Sequence, residues 1–252
     1  MVENDTRKMQ FADIAHAAAL LTRLPLPVGE NTRGAATAWA YPIVGLIIGV
    51  LAALIGVIGL WVGLPSAAVA LLSLATMILL TGAMHEDGLA DTADGFWGGW
   101  TREARLEIMK DSHIGTYGVL SLIIVTAARW LALWHLFDIG AGTATAALVA
   151  ACTLSRASMP SLMANLPHAR TTGLSHSVGA TSKSTAWIAW GIAFLAVFVL
   201  TGWGVFWAAI WAAVVTLGIA RLARHKIGGQ TGDTLGAAQQ VSEVAVLFCL
   251  LV

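Results

Sequence analysis

The residues with the clearest chemical potential form an acidic segment directly after an apolar run. Asp87, Asp91 and Asp94 lie four and then three residues apart in the stretch HEDGLADTADG, residues 85–95. On a helix, this spacing places all three carboxylates on one face over two turns. Carboxylates crowded at a membrane boundary repel one another and are costly to desolvate, so a divalent cation stabilises their ionised forms together. The segment therefore predicts a Mg²⁺ site.

A solvated helix face is the alternative interpretation of the three aspartates. Four glycines between residues 85 and 99 allow a large ligand to approach the backbone, and this stretch contains no Lys or Arg that would neutralise the acids. His85 adjoins the cluster and could serve as a base or a phosphate contact. We favour a metal and phosphate site over a solvated face.

Two later segments add candidate ligands. In KDSHIGTYG, residues 110–118, Asp111 is placed either to be a fourth metal ligand or to cap the helix that follows. In RLARHKIGGQTGDTLG, residues 221–236, a Gly-rich turn precedes a helix start, which favours an anion. Gly229, Thr231 and Asp233 of this segment are expected to contact substrate, and Asp233 could complete a metal shell. A basic cytoplasmic loop with an Asp N-cap is the alternative.

Three ionisable residues fall within apolar stretches: Arg129, Arg156 and Glu243. Charges inside a membrane are expensive and usually functional. Arg156 and Glu243 lie close to predicted helix ends, where a long side chain can reach the interface.

The composition predicts the elements that must position these residues. Hydrophobic residues make up 58% of the 252 residues and charged residues only 11%, and the mean hydropathy is +0.77. An ordinary soluble domain has about 25% charged residues. We therefore predict an all-α, polytopic membrane bundle that forms a single domain over residues 1–252.

About seven transmembrane helices of spanning length are predicted. They are preceded by a short interfacial or re-entrant helix over residues 9–24, which TRLPLP at 22–27 ends. The expected spans are residues 42–64, 67–84, 118–137, 143–159, 186–202, 204–220 and 235–252.

The distribution of positive charge predicts the orientation. Long polar loops at 85–117, 160–185 and 221–234 carry Lys and Arg, whereas the alternate connectors carry none. The positive-inside rule places these loops, and the acidic cluster, on the cytoplasmic face of the inner membrane. The expected partners are small-molecule substrates and the lipid bilayer, with no nucleic acid. Spans rich in Gly and Ala leave room for helix association in a homo-oligomer.

Several motifs in this order resemble the cobalamin synthase family, adenosylcobinamide-GDP ribazoletransferase. The resemblance is carried by TRLPLP at 22–27, HEDGLADTADGFWGG at 85–99, KDSHIGTYG at 110–118 and KIGGQTGDTLGA at 226–237, and it covers nearly the whole chain. The sequence departs from the family pattern at Gln240, where an acidic residue is expected.

The resemblance implies a Mg²⁺-dependent late step of cobalamin assembly. Adenosylcobinamide-GDP would react with α-ribazole, or its 5′-phosphate, to give adenosylcobalamin, or its 5′-phosphate, and GMP. One or two Mg²⁺ ions would bridge the pyrophosphate, and a side chain would accept the proton of the attacking ribose hydroxyl. The implied metal ligands are Asp87, Asp91, Asp94 and Asp111, the phosphate contacts Lys110, Arg102 and Arg105, and the candidate bases Asp94, Asp111 and His85.

Two other functions remain open from the sequence. A CDP-alcohol phosphotransferase also uses an Asp-Gly-rich acidic helix, but here Asp91 stands where an Arg would follow Ala90, and the later GxxxDxxxD does not appear. A secondary transporter is suggested by broken helices and intramembrane charge. Against it, most charge lies in the loops, and no pair of similar halves is visible.

Overall fold

The computed structural model describes residues 9–29 and 33–251, which form helices joined by loops. A 3₁₀ helix over Gly34–Ala40 follows the first of the α-helices. The α-helices are α1 (Ala12–Leu21), α2 (Tyr41–Trp61), α3 (Ser66–Thr81), α4 (Met84–Gly98), α5 (Arg102–Ile108), α6 (Thr116–Ile139), α7 (Ala141–Asn165), α8 (Leu174–Val178), α9 (Lys183–Thr201), α10 (Gly204–Ile227) and α11 (Gly232–Cys249).

The predicted all-α membrane bundle is confirmed, with fewer clear spans than expected. Within the described residues, five helical segments are long and apolar enough to cross a membrane: Gly34–Trp61, α6, α7, α9 and α10. The bent pair α3 and α4 brings the number to six if it counts as one span. The seventh predicted span forms α11, which is not among these segments because buried polar residues such as Gln239, Gln240 and Glu243 interrupt its apolar surface.

Helix α7 lies at the centre of the bundle and is buried along most of its length. Helix α2 packs against it through glycines. A Cβ atom on Gly49 would lie 2.7 Å from Val149 Cα, and one on Gly45 would lie 2.9 Å from Thr153 Cα. Small residues at these positions therefore allow the two backbones to approach closely, as in other membrane helix pairs.

A sharp bend between α3 and α4 separates the acidic helix from the apolar arm before it. Gly82 ends α3 with φ +64°, and Ala83 follows with φ +58°. The two helix axes differ by 86°. Helix α4 therefore runs almost perpendicular to α3 and packs against α6 and α11. Of the two helices, we treat only α3 as part of a membrane span.

The short apolar helix α1 agrees with the predicted interfacial helix, and a buried aspartate attaches it to the rest of the protein. Asp13 accepts hydrogen bonds from Arg33 Nε at 2.6 Å and from Trp39 Nε1 at 2.9 Å. Its side chain is fully buried. These contacts hold α1 against the 3₁₀ helix.

Candidate active site

A cavity of about 260 Å³ opens where α4, α11 and the loop after α7 meet. Its polar wall includes Asp87, Asp233 and Arg170, together with His168 of the loop after α7 and His176 of α8. Its apolar wall includes Tyr41, Met84, Met159, Met163 and Leu235. The cavity thus combines charged groups with a hydrophobic surface, as small-molecule sites commonly do.

The three aspartates of α4 do not share one environment. Asp87 is exposed and lines the cavity, whereas Asp91 is half-buried and Asp94 is buried. Asp94 accepts hydrogen bonds from the backbone N–H of Gly115 at 2.7 Å and of Gly118 at 2.9 Å. Its carboxylate thus caps the N-terminus of α6, where the helix dipole favours a negative charge. The structure thus brings Asp87 to the cavity wall, leaves Asp91 half-buried within electrostatic range of Asp87 and Asp233, and gives Asp94 a structural partner.

Asp233 reaches the cavity through a well-formed helix start. Thr231 and Thr234 form a reciprocal capping box at the N-terminus of α11, and the Thr231 hydroxyl donates to Asp233 Oδ2 at 3.1 Å. Asp233 also forms an ion pair with Arg170. The predicted candidates Thr231 and Asp233 therefore lie together at the site.

The loop after α7 is attached to the turn before α11 by backbone hydrogen bonds. Gln230 N–H donates to Pro167 C=O at 2.8 Å, and Ala169 N–H donates to Gln230 C=O at 2.9 Å. A Cβ on Gly229 would lie 3.0 Å from the Ala169 nitrogen, so the glycine permits this close approach. In the structure, Gly229 allows the loop that carries Arg170 to pack against the turn before α11, next to Asp233. Its predicted contact with substrate stays a prediction.

Helices α4 and α11 approach closely at two further glycines. A Cβ on Gly88 would lie 2.8 Å from the Asp233 carbonyl oxygen, and one on Gly236 would lie 3.1 Å from the His85 carbonyl oxygen. Any larger residue would push the helices apart. This crossing brings the carboxylates of α4 to the first turn of α11.

The electrostatics of the site reflect this crowding. Burial, together with the negative charges of Asp233 and Asp87, raises the pKa of Asp91 to about 7. Burial also raises the pKa of Asp233, although the Arg170 guanidinium acts in the opposite direction. Asp87, Asp91 and Asp233 thus form a group of mutually repelling carboxylates with one nearby cation.

The donor chemistry of this group fits Mg²⁺, which prefers carboxylate oxygens. A cation would relieve the repulsion that raises the pKa of Asp91. In residues 9–29 and 33–251, however, no three His, Cys, Asp or Glu side chains are grouped closely enough to hold a metal as they stand. Coordination would require these side chains to turn toward one another and Asp233 to release Arg170.

The structure places the candidates of the α5 region away from the cavity wall. Arg102 donates to Ile227 C=O at 2.9 Å and to Ala169 C=O at 2.7 Å. Arg105 donates to Gly99 C=O and to Lys226 C=O, both at 3.0 Å. These guanidinium groups join the loop after α4, the loop after α7 and the C-terminal turn of α10.

Lys110 and Asp111 are exposed and do not line the cavity. Asp111 Oδ1 lies 2.8 Å from His113 Nδ1. This hydrogen bond lowers the pKa of Asp111 and raises that of His113. The structure therefore does not bring Asp111 to the carboxylates of α4.

Among the candidate bases, His85 lines the cavity, and Asp94 and Asp111 do not. Its ring is buried, and Nε2 has no hydrogen-bond partner within the described residues. A buried polar atom usually has a partner, so this nitrogen is a candidate contact for a bound molecule once the side chains around it adjust.

A buried ionic network beneath the cavity joins α4, α6, α7 and α11. Arg129 lies 2.8 Å from Glu86 and 2.7 Å from Glu243, and Arg156 lies 3.9 Å from Glu243. Arg129 also donates to Gln240 Oε1 at 2.8 Å, and Gln240 Nε2 donates to Glu86 at 3.1 Å. Glu86 thus supplies a carboxylate beside Gln240, the position at which the sequence analysis expected an acidic residue.

Several residues of the site escaped the sequence analysis. No site role was predicted for Arg170, because it is one of several basic residues in the loops. None was predicted for Glu86, because it lies next to the aspartates that formed the predicted metal site. No sequence motif marked His168, whose Nδ1 accepts a hydrogen bond from Gln230 Nε2 at 3.0 Å, or His176, whose ring lies 5.3 Å from that of His168. Arg129, Arg156 and Glu243, three ionisable residues in apolar stretches of the sequence, were the available clue to the network.

Comparison with known proteins identifies similar sequences. The profile of the family described as cobalamin-5-phosphate synthase matches residues 13–251. An adenosylcobinamide-GDP ribazoletransferase of Bradyrhizobium diazoefficiens is 44% identical over 248 residues, which cover 96% of this chain and 94% of the relative. Proteins of the same name from Mesorhizobium japonicum and Brucella anthropi are each 43% identical, covering 93% and 96% of this chain and 91% and 96% of the relatives. No solved structure matches the chain.

Proposed function

The chain belongs to the cobalamin-5-phosphate synthase family, and from this membership we propose that it acts as an adenosylcobinamide-GDP ribazoletransferase. A ribose hydroxyl of α-ribazole, or of its 5′-phosphate, attacks the phosphorus attached to adenosylcobinamide. The new P–O bond forms as the pyrophosphate P–O bond breaks, GMP leaves, and the hydroxyl proton passes to a base. The products are adenosylcobalamin, or its 5′-phosphate, and GMP.

The observation that carries this proposal is the meeting of Asp87, Asp233 and Arg170 at the cavity, with Asp91 close enough to interact electrostatically with all three. A pyrophosphate needs positive charge around it, and carboxylates attract that charge in the form of metal ions. We assign Mg²⁺ to these three aspartates on the basis of their donor chemistry. When bound, Mg²⁺ would neutralise charge on the pyrophosphate and on the departing GMP.

Arg170 is the protein group best suited to hold the phosphates themselves. Its guanidinium can donate two parallel hydrogen bonds to one phosphate group, which orients as well as binds it. In the structure it is paired with Asp233. Binding of substrate would therefore exchange the Asp233 carboxylate for phosphate oxygens.

His85 is the candidate base that the geometry favours, because it lines the cavity that holds Asp87 and Asp233. The apolar wall formed by Met84, Met159 and Met163 fits the aromatic base of α-ribazole, since methionine side chains adapt to flat rings and attract them. The ribose hydroxyl would then lie between this wall and the aspartates.

The measurement that tests the proposal is release of GMP by the purified protein in detergent, supplied with adenosylcobinamide-GDP and α-ribazole 5′-phosphate. We expect GMP and a corrinoid product in Mg²⁺ and neither in EDTA. Asp91→Ala should lower the rate at least about 100-fold, because metal-assisted charge stabilisation is worth several kcal/mol. Asp111→Ala is the matched control, since Asp111 is exposed and outside the cavity wall, and it should keep the wild-type rate.

Other outcomes would redirect the assignment. Equal rates for Asp91→Ala and the wild type would remove the acidic site from the mechanism. Transfer of a phosphoalcohol from a CDP-linked donor would favour the CDP-alcohol phosphotransferase, and substrate uptake into liposomes without GMP release would favour the transporter.

A further inference from the structure

A second and larger cavity, of about 860 Å³, lies between α9, α10 and the end of α7. We call it the α9–α10 groove. Its walls are mainly apolar and aromatic, with Trp187, Trp190 and Phe194 on α9 facing Phe206 and Ile210 on α10. It shares no lining residue with the cavity of the candidate active site.

The groove changes character along its length. Ser161, Asn165 and Lys183 line one end, where Trp190 Nε1 also donates to Ser161 Oγ at 2.7 Å. At the other end Phe194 and Phe206 meet edge to face, with ring centroids 5.1 Å apart. Because α9 rises about 1.5 Å per residue, about 16 Å separate Lys183 from Phe194. The groove is thus polar at its mouth and apolar for the rest of its length.

The mouth of the groove is also electropositive. The sequence contains no Asp or Glu between Asp138 and Asp233. Lys183 is exposed at the mouth, and the exposed Arg221 lies one helical turn beyond Leu217, which lines the groove. Neither cation has an ion pair in the part of the chain that the structure describes. An anion at this end would therefore meet uncompensated positive charge.

We propose that the α9–α10 groove binds an anionic phospholipid, with its phosphate at Lys183 and one acyl chain along the aromatic wall. Both α9 and α10 are long and apolar enough to span the membrane, so the groove lies at the depth of the acyl chains. The exposed cations at the mouth and the apolar wall beyond them match the two parts of such a lipid, an anionic headgroup and an acyl chain.

Two glycines, one in the groove wall and one outside it, can accept a larger side chain without a clash. A Cβ added at Gly191, in the groove wall, or at Gly218, on α10 outside it, would meet no heavy atom within 4 Å. Gly191→Leu therefore blocks the groove, and Gly218→Leu is the matched control. Ala213→Leu narrows the groove from α10 and repeats the test if Gly191→Leu is poorly produced.

The experiment is native mass spectrometry of the full-length, delipidated protein, titrated with dioleoylphosphatidylglycerol, with dioleoylphosphatidylcholine or with inorganic phosphate. We expect one tightly retained phosphatidylglycerol on the wild type and on Gly218→Leu, and its loss from Gly191→Leu. Lys183→Gln should weaken phosphatidylglycerol binding about fivefold, as expected for one basic residue at an anionic headgroup, and Lys183→Arg should restore it.

Four results would overturn the proposal. These are equal binding by the two Leu variants, equal binding of the zwitterionic and anionic lipids, saturation by inorganic phosphate alone, and a dimer that Gly191→Leu dissociates. The last would assign the groove to a second copy of the chain.

Discussion

Asp94 shows how one residue type at one spacing can serve two different purposes. By sequence it is the third member of an acidic helix face. In the fold both of its oxygens accept hydrogen bonds from the first backbone N–H groups of α6. An aspartate that binds a metal and an aspartate that caps a helix look the same in a sequence. Only the groups that contact the carboxylate in the fold, here Gly115 and Gly118, distinguish the two roles.

Replacement of Asp94 separates these two roles. Asp94→Asn should destabilise the protein by about 1 kcal/mol, because a neutral amide is a weaker partner for the N-terminus of α6. The Mg²⁺ concentration that half-activates the enzyme should not change. Thermal unfolding in detergent and a Mg²⁺ titration of GMP release measure the two quantities. A large increase in the Mg²⁺ requirement, with unchanged thermal stability, would instead make Asp94 a metal ligand.

At the scale of elements, hydropathy predicted the helices well because each span must satisfy its own backbone in lipid. The expected span at 118–137 is α6 (Thr116–Ile139), and the one at 204–220 is the first part of α10 (Gly204–Ile227). The bend after α3 was not predicted, since it depends on positive φ at Ala83 as well as at Gly82. The buried position of α11 was not predicted either, because its polar residues have partners on other helices.

The ionic network holds the two helices that carry the site, so moving its charge tests how α4 and α11 are positioned. Glu86→Gln leaves the buried Arg129 with fewer countercharges and should cost about 3 kcal/mol. One guanidinium nitrogen of Arg129 donates hydrogen bonds to both Glu86 Oε1 and Gln240 Oε1, each at 2.8 Å. The double variant Glu86→Gln with Gln240→Glu should therefore recover most of the lost stability.

A double-mutant cycle of thermal unfolding in detergent measures this coupling, which we expect to be about 2 kcal/mol. The same four proteins should show loss and recovery of GMP release in parallel, since the network positions Asp87 through its helix. Additive losses in the double variant would show that the position of the charge on α4, and not its presence in the network, determines stability.

Helix α1 depends on a single buried carboxylate, which makes its attachment sensitive to pH. Burial alone would raise the pKa of Asp13, but hydrogen bonds from Arg33 and Trp39 outweigh it and lower the pKa from 3.8. A carboxyl group with a lowered pKa in the folded state stabilises the protein above its unfolded pKa, and this contribution is lost as the pH falls through the folded value.

Asp13→Asn should therefore be less stable than the wild type at pH 6, by about 2 kcal/mol for hydrogen bonds to a charged group. The difference should shrink once the pH falls below about 4, the ordinary Asp value. Thermal unfolding of both proteins between pH 6 and pH 3 measures it. A constant difference over this range would mean that the ionisation of Asp13 does not contribute.

At the scale of the whole molecule, the site arises from contacts that no local pattern encodes. Arg170 meets Asp233 across 63 residues, and Arg129 meets Gln240 across 111. Sequence periodicity specifies which residues face inward on a helix but not which helices become neighbours. The acidic helix and the Gly-rich turn were therefore found from the sequence, whereas the basic partner and the network beneath them required the fold.

The distribution of basic residues between the two ends of the bundle predicts its orientation in the membrane. Arg102 contacts Ala169 and Ile227, so the loops after α4, α7 and α10 meet at one end of the bundle. Lys and Arg cluster at this end, in α5 and the loop that follows it, in the loop after α7 and in the last turns of α10, whereas the connectors at 62–65, 140 and 202–203 carry neither. The positive-inside rule then predicts that the candidate active site faces the cytoplasm.

Labelling with a membrane-impermeant maleimide tests this orientation, with Cys152 and Cys249, which are both free cysteines, replaced by Ala. A cysteine introduced at the exposed Ser112 should react in inside-out vesicles and not in intact cells. One introduced at the exposed Val62, at the other end of the bundle, should show the opposite pattern. Because the two positions report on opposite ends of the same bundle, a reversed pair of patterns would place the carboxylates outside the cell and separate them from any cytoplasmic nucleotide-linked substrate.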